Sequence, residues 1–276
     1  MGSQTLSPGL AARIVRLRRW VLAAALVLTV AAPLLVLLGA VGSKAGWFDI
    51  HLGFDWLAVR IAPTLAIIGA ALGVLALIWW IAPPRGGLVW ALVAIALGST
   101  VAGASSWWRA AAVRAQPVHD TATDWTDPLM FSPKLMMDRG PNTNPVESAP
   151  LVPFTRFTTT LAGQSVAEIN AKTCPAATPI VLTTTPDKAY ARVEAAVQRA
   201  GLKLVSSDPA PDASGRRRLE ATATGMWFGF KDDLAARVAP AGAGARIDLR
   251  VSSRIGLTDF GRGCRLITRM RRMIGP

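Results

Sequence analysis

Residues Trp20–Ser43, WVLAAALVLTVAAPLLVLLGAVGS, run for 24 positions without a charged side chain. The hydrocarbon core of a bilayer is about 30 Å thick and takes roughly 20 apolar residues at the helical rise of about 1.5 Å each. Two further runs follow: Ile61–Pro84, 24 residues between Arg60 and Arg85, and Gly86–Trp108, 23 residues between Arg85 and Arg109. In lipid every backbone amide must be satisfied within its own segment, so these runs read as helices. Three of them in succession are foreign to the core of a soluble protein. The expected spans are about 20–42, 60–82 and 86–108, with residues 1–19 as a cytoplasmic terminus. A cleaved signal peptide fits less well. Its apolar region covers about 7–15 residues, and this one continues past Ala32 through Leu34–Leu38.

Arg13, Arg16, Arg18 and Arg19 flank the first span and place the N-terminus in the cytoplasm by the positive-inside rule. Three crossings then put everything after Trp108 on the other side, in the periplasm of an inner-membrane protein. Trp20, Trp47, Trp56, Trp79, Trp80, Trp90, Trp107 and Trp108 fall near the expected helix ends, where indole rings anchor to the interface. A tight turn is expected at 82–87 and a longer loop at 43–57. Gly69-x-x-x-Gly73, and Gly98 with Ala102, are small-residue pairs that let helices approach. No ionisable residue lies inside a span, which argues against a transporter or channel.

Composition agrees. The 276 residues are 51% hydrophobic and 17% charged, against about 25% charged in an ordinary soluble protein, and the mean hydropathy is +0.36. Ten Trp accompany one Tyr, and 30 basic against 17 acidic residues give +13. With two Cys and two His, neither a disulfide framework nor a metal centre is in view. The lipid bilayer is the first expected partner. Nucleic acid is not expected, because the basic stretches lack interleaved aromatics.

From Arg109 the composition turns to Thr, Asp, Pro and Arg. Residues 109–153 read as an extended polar connector, with seven Pro between Gln116 and Pro153. Residues 154–276 read as an α+β domain with a mostly antiparallel sheet. Pro186–Ala200 carries Ala189, Val193, Ala196, Val197 and Ala200 at helical spacing, with Gly201 as a stop. Leu202–Val205, Leu219–Phe230, Ala235–Val238 and Arg246–Ile255 read as strands, and Thr258–Met273 as a final helix. In the last strand Ile247, Leu249 and Val251 face one way, and Arg246, Asp248, Arg250 and Ser252 the other.

Three stretches here resemble the bacterial and plastid family catalogued as domain of unknown function 1499, in its membrane-anchored form. They are His119-Asp-Thr-Ala-Thr-Asp124, Gly229-Phe-Lys-Asp-Asp233, and Arg246-Ile-Asp-Leu-Arg-Val-Ser-Ser-Arg-Ile-Gly256 running into Asp259-Phe-Gly261. The likeness covers about 118–273. It implies a membrane-tethered extracytoplasmic domain and supplies no activity. Gly263 stands where the pattern has Asn, and both cysteines depart from it.

The weak catalytic candidates are His119 and Asp120, as general base or half a metal site, and Asp232 with Asp233, as paired carboxylates. The plainer reading gives both pairs structural roles: His119-Asp120 in turns and caps, Lys231-Asp232-Asp233 as a turn cap after a strand. No Gly-rich phosphate loop, Cys-x-x-Cys or His-Glu-x-x-His is present, so no cofactor is expected and an enzyme is the lesser reading. Arg262, Arg265, Arg269 and Arg272 form a basic stripe suited to an anionic lipid surface or to water. Two unpaired thiols would be unusual in an oxidising compartment, so Cys174 and Cys264 are expected to pair. The favoured function is an interaction or assembly factor for an envelope complex, with another envelope or membrane protein as partner. The alternatives are a tethered hydrolase using His119 and Asp120, and a lipid- or pigment-binding domain.

Overall fold

The computed structural model describes residues 8–80, 86–155 and 157–275. Two compact units divide the chain: Met1–Ala111 with Trp227–Gly229, and Ala112–Met226 with Phe230–Pro276.

The first unit is helical. α1 spans Pro8–Ala45, a π-helix His51–Ile61 of 11 residues runs directly into α2, Ala62–Trp80, and α3 spans Leu88–Arg114. Among the described residues, three helical stretches are long and apolar enough to cross a membrane: Ala12–Ala45, His51–Trp80 and Leu88–Arg114. The 43–57 stretch expected as a loop is thus largely helical. His51 and Asp55, one helical turn apart, are bonded Nδ1 to Oδ2 at 2.8 Å. The tight turn expected at 82–87 lies at 82–85 outside the described residues. Small residues set the helix contacts. A side chain at Gly69 would strike Thr29 and the Ala25 carbonyl, and one at Gly98 would strike the Ala66 carbonyl at 2.6 Å.

Among the described residues the second unit is a six-stranded antiparallel sheet with four helices. In chain order these are β1 (Asp120–Ala122), α4 (Pro133–Arg139), α5 (Val166–Thr173), β2 (Ile180–Leu182), α6 (Pro186–Arg199), β3 (Lys203–Asp208), β4 (Arg217–Thr224), β5 (Lys231–Ala241), β6 (Gly244–Ser253) and α7 (Arg262–Ile274). The sheet order is β1-β6-β5-β4-β3, with β2 also paired to β6. Alternation sorts the strands into two faces. Leu219, Ala221, Leu234, Ala236, Val238, Ile247, Leu249 and Val251 join Ala189, Val193 and Val197 of α6 and Ile267 and Met270 of α7 in the main core. Thr185 caps α6, accepting from the Lys188 amide at 3.4 Å, and Pro186 takes its first turn.

Two expectations need correction. The apolar run Leu219–Phe230 is not one strand, because pairing stops at Thr224↔Lys231 and Gly225–Phe230 forms the loop of a hairpin. Lys231-Asp232-Asp233 is therefore not a turn cap. It opens β5, paired to β4 and to β6. The stretch from Asp120 to Pro150 supplies β1 and α4 to this folded unit.

Candidate functional site

The second face of the sheet combines buried charge with a small apolar cluster of Leu129, Phe131, Leu135 and Ala235. Arg250 of β6 is fully buried and bonds Asp120 with both ends of its fork, Nε to Oδ1 at 3.0 Å and Nη2 to Oδ2 at 2.6 Å. It also donates to the carbonyls of Leu129 and Glu147 at 2.9 and 2.6 Å, and lies 5.2 Å over the Trp125 ring. Each donor of a planar guanidinium can thus be matched, which a lysine could not do.

Asp233 holds a second node. It accepts from Arg139 at 2.7 Å, from Arg254 at 2.8 and 2.9 Å, and from Thr222 at 2.7 Å. Arg254 reaches on to the Asp138 carboxylate at 2.7 Å. Burial pulls the Arg139 guanidinium down from its ordinary value, against the pull of Asp233. Burial also opposes the charge on Arg254, but its bonds to Asp233 and Asp138 outweigh that and raise it. Glu220, fully buried on β4, accepts from the Ser132 amide and hydroxyl and from Ser206. A third node joins Arg237 and Arg246 to Asp124, Asp127 and Asp248. Thr222, Ser206, Asp233 and Asp248 lie within the sheet, and the remaining partners, Asp120, Asp124, Asp127, Ser132, Asp138 and Arg139 among them, come from the 120–147 stretch.

The expected dyad is not assembled. Both Asp120 oxygens serve Arg250, and the His119 Nδ1 is buried with no hydrogen-bond partner, as is the Ser252 hydroxyl. Burial lowers the His119 imidazole below its usual value, with Asp120 opposing. Asp232 and Asp233 face opposite sides of β5. Asp232 accepts from Ser253 and, at 3.0 Å, from Arg262, and burial raises its carboxyl while Arg262 opposes. They are no carboxylate pair. Of the basic stripe, Arg262 is thus engaged and sits 5.4 Å over the Phe230 ring, whereas Arg265, Arg269 and Arg272 are exposed. No group of His, Cys, Asp or Glu fit to hold a metal occurs among the described residues.

Cys174 and Cys264 are joined by a disulfide with Cα atoms 5.7 Å apart. It ties the end of α5 to the start of α7 and lines a cavity of about 370 Å³ shared with Arg114, Val118, Thr121, Asn170 and Phe260. Asp259, also on this cavity, accepts from the Gly261 and Gly263 amides at 2.6 and 2.7 Å and so caps α7. A side chain at Gly263 would meet Asp259 at 2.8 Å and Thr121 at 2.9 Å. Sequence reading missed Arg139, Arg254, Glu220 and this cavity. Arg254 stands in the motif that carries the family resemblance and continues the alternation of Arg250 and Ser252, whereas that pattern gives no signal for Arg139, Glu220 or the cavity.

The family model described as "Protein of unknown function (DUF1499)" matches residues 121–274. No curated protein and no solved structure matches the chain.

Proposed function

The chain belongs to the DUF1499 family of proteins of unknown function, and from that premise we propose a membrane-held interaction module. Three spans fix it in the inner membrane with the N-terminus in the cytoplasm. Its α+β domain stands in the periplasm as an assembly factor for an envelope complex. One observation carries this reading: the candidate carboxylates Asp120, Asp232 and Asp233 are buried and bonded to arginines, Asp120 and Asp233 through both oxygens. The domain instead exposes large apolar side chains, with Met137 83% and Phe154 80% accessible, and exposed apolar surface marks interaction sites. The disulfide suits an oxidising compartment.

Photoreactive residues placed singly at Met137 and Phe154 in the full chain test the proposal in cells. The expected outcome is a crosslink to one polypeptide of defined mass, dependent on position. No product from either site, with the protein folded and in the membrane, overturns it. An alkaline phosphatase fusion after Pro276 should be active, and activity only from a cytoplasm-dependent reporter overturns the orientation. The cavity beside the disulfide favours a second reading, a small-ligand binder, and a ligand copurifying with the domain would support it.

A further inference from the structure

We infer that the β4–β5 hairpin loop is a further point of membrane attachment, with Met226 and Trp227 seated in the interfacial layer of the bilayer; this rests on the three helices crossing that bilayer. The loop reads Gly225-Met-Trp-Phe-Gly-Phe230. Gly225 donates its amide to the Phe230 carbonyl at 2.7 Å, which closes the hairpin and presents the four residues between them at its tip. Hairpin tips in water favour Gly, Asn, Asp, Pro and Ser, whose side chains or backbone freedom suit a turn. This one carries Met, Trp and Phe, with Met226 76% and Trp227 68% exposed. Trp prefers the headgroup level, where its ring is half in hydrocarbon and its N–H reaches water.

The spans supply the depth. Trp227–Gly229 group with the helical unit. Within that unit the Phe228 ring meets Phe54 edge-on at 5.0 Å, and Phe54 meets Trp108 at 5.2 Å. Trp108 closes the last uncharged run, and Phe54 lies just before the second. Both mark the same end of the spans, where Trp47, Trp56 and Trp107 are also exposed. Exposed Lys231 follows the loop directly, and the register Lys203↔Thr222 brings exposed Lys203 to this end of the sheet. Ammonium groups there suit anionic headgroups. Of the carboxylates nearby, Asp138 is bonded to Arg254, Asp232 to Ser253 and Arg262, and Asp55 to His51.

The test is site-directed spin labelling of the full chain in vesicles of phosphatidylcholine and phosphatidylglycerol in equal parts. With the native disulfide intact, a Met226→Cys variant offers one reactive thiol and keeps Trp227. A Trp227→Cys variant is the second site. Val181→Cys, the outward-facing residue of β2, is the aqueous control, and Leu34→Cys, exposed in α1, reports on the spans. At 226 or 227 the ratio of collisions with oxygen to collisions with a nickel chelate should be several-fold higher than at 181, and lower than at 34. Nickel access at both loop sites equal to that at 181 overturns the inference and leaves the spans standing. Shielding from both reagents overturns it in favour of a protein contact. Nickel access at 34 overturns the spanning reading, and the inference with it.

Discussion

The two faces of the sheet are buried by opposite chemistry. On β6 the adjacent residues Leu249 and Arg250 are both fully buried. Leu249 points into aliphatic side chains of α6 and α7, where non-directional area burial, at about 25 cal/mol per Å², stabilises the contact. Arg250 points the other way and is held by Asp120 and two carbonyls from 120–147. The apolar face needs only volume and shape, and two amphipathic helices meet it. The polar face needs each donor matched in place, and irregular backbone can meet that because its carbonyls are not tied up in a ladder. Two long helices thus cover one side, and the other is covered by a stretch in which the short β1 and α4 are joined by irregular, Pro-containing backbone.

The comparison breaks first at Arg250. Arg250→Ala leaves Asp120 buried without its partner, and losing one member of a buried pair costs about 3–5 kcal/mol. Leu249→Ala, one residue away, should cost about 2–5 kcal/mol by cavity formation. Denaturant unfolding followed in the full chain reads both. The faces separate in the double variant Asp120→Leu with Arg250→Met, which removes the charges together and should recover a large part of the loss. If the double variant is as unstable as Arg250→Ala, the pair is not what holds that face.

Legibility followed the same division. The long apolar helices could be read from absent charge, and the main core from Ile247, Leu249 and Val251 alternating with Arg246, Asp248 and Arg250, because period-2 patterning needs no knowledge of the rest of the chain. The pattern does not reveal that Arg250 is buried. Alternation in an antiparallel sheet ordinarily means apolar in and polar out, and the cover for this face comes from Asp120, 130 residues earlier in sequence. The loop 225–230 was hidden for a different reason. Met, Trp and Phe prolong the apolar signal of β4 through the turn, so Asp232 and Asp233 seemed to follow a strand rather than begin one. His119 and Asp120 were visible as neighbours, and only coordinates show the carboxylate turned to arginine.

The disulfide sharpens the comparison next, since it lies beyond either face. Cys174→Ala with Cys264→Ala should lower stability by about 2–4 kcal/mol, because opening a 90-residue connection restores entropy to the unfolded chain. Reductant added to the parent protein should reproduce the same drop in thermal midpoint. A reduced midpoint equal to the oxidised one would show that Asp259 and the α7 core contacts hold that corner unaided.

A smaller effect is expected from pH. Burial depresses the His119 imidazole below its unfolded value of about 6.5. The folded state therefore binds the proton less readily than the unfolded one. The resulting stability is present above pH 6.5 and is lost as pH falls through the folded value. Asp232 has the opposite sign, its raised carboxyl taking up a proton more readily when folded, so the raw profile mixes the two. The difference between parent and His119→Gln isolates the imidazole. The variant should lose less stability than the parent on acidification from pH 7. Parallel curves would mean that His119 is solvated equally in both states.

The smallest effects belong to the outer arginines of α7, and they ask how far the charge chemistry of the polar face extends. Arg262 follows its pattern: it donates to Asp232, lies near the Ser253 hydroxyl and stacks on Phe230. Arg262→Ala leaves a buried carboxylate without its cation and should cost about 1–3 kcal/mol. Arg265, Arg269 and Arg272 are exposed on the same helix, and Arg265 bonds the nearby Phe260 carbonyl, at 2.9 Å. Each Arg→Ala change there should stay within about 0.5 kcal/mol of the parent, as exposed substitutions do. Thermal midpoints of the four single variants decide it. Equal losses at all four would make the stripe a structural element of the domain. A loss confined to Arg262 leaves three cations that stability does not require, and they are the charges an anionic lipid surface could use.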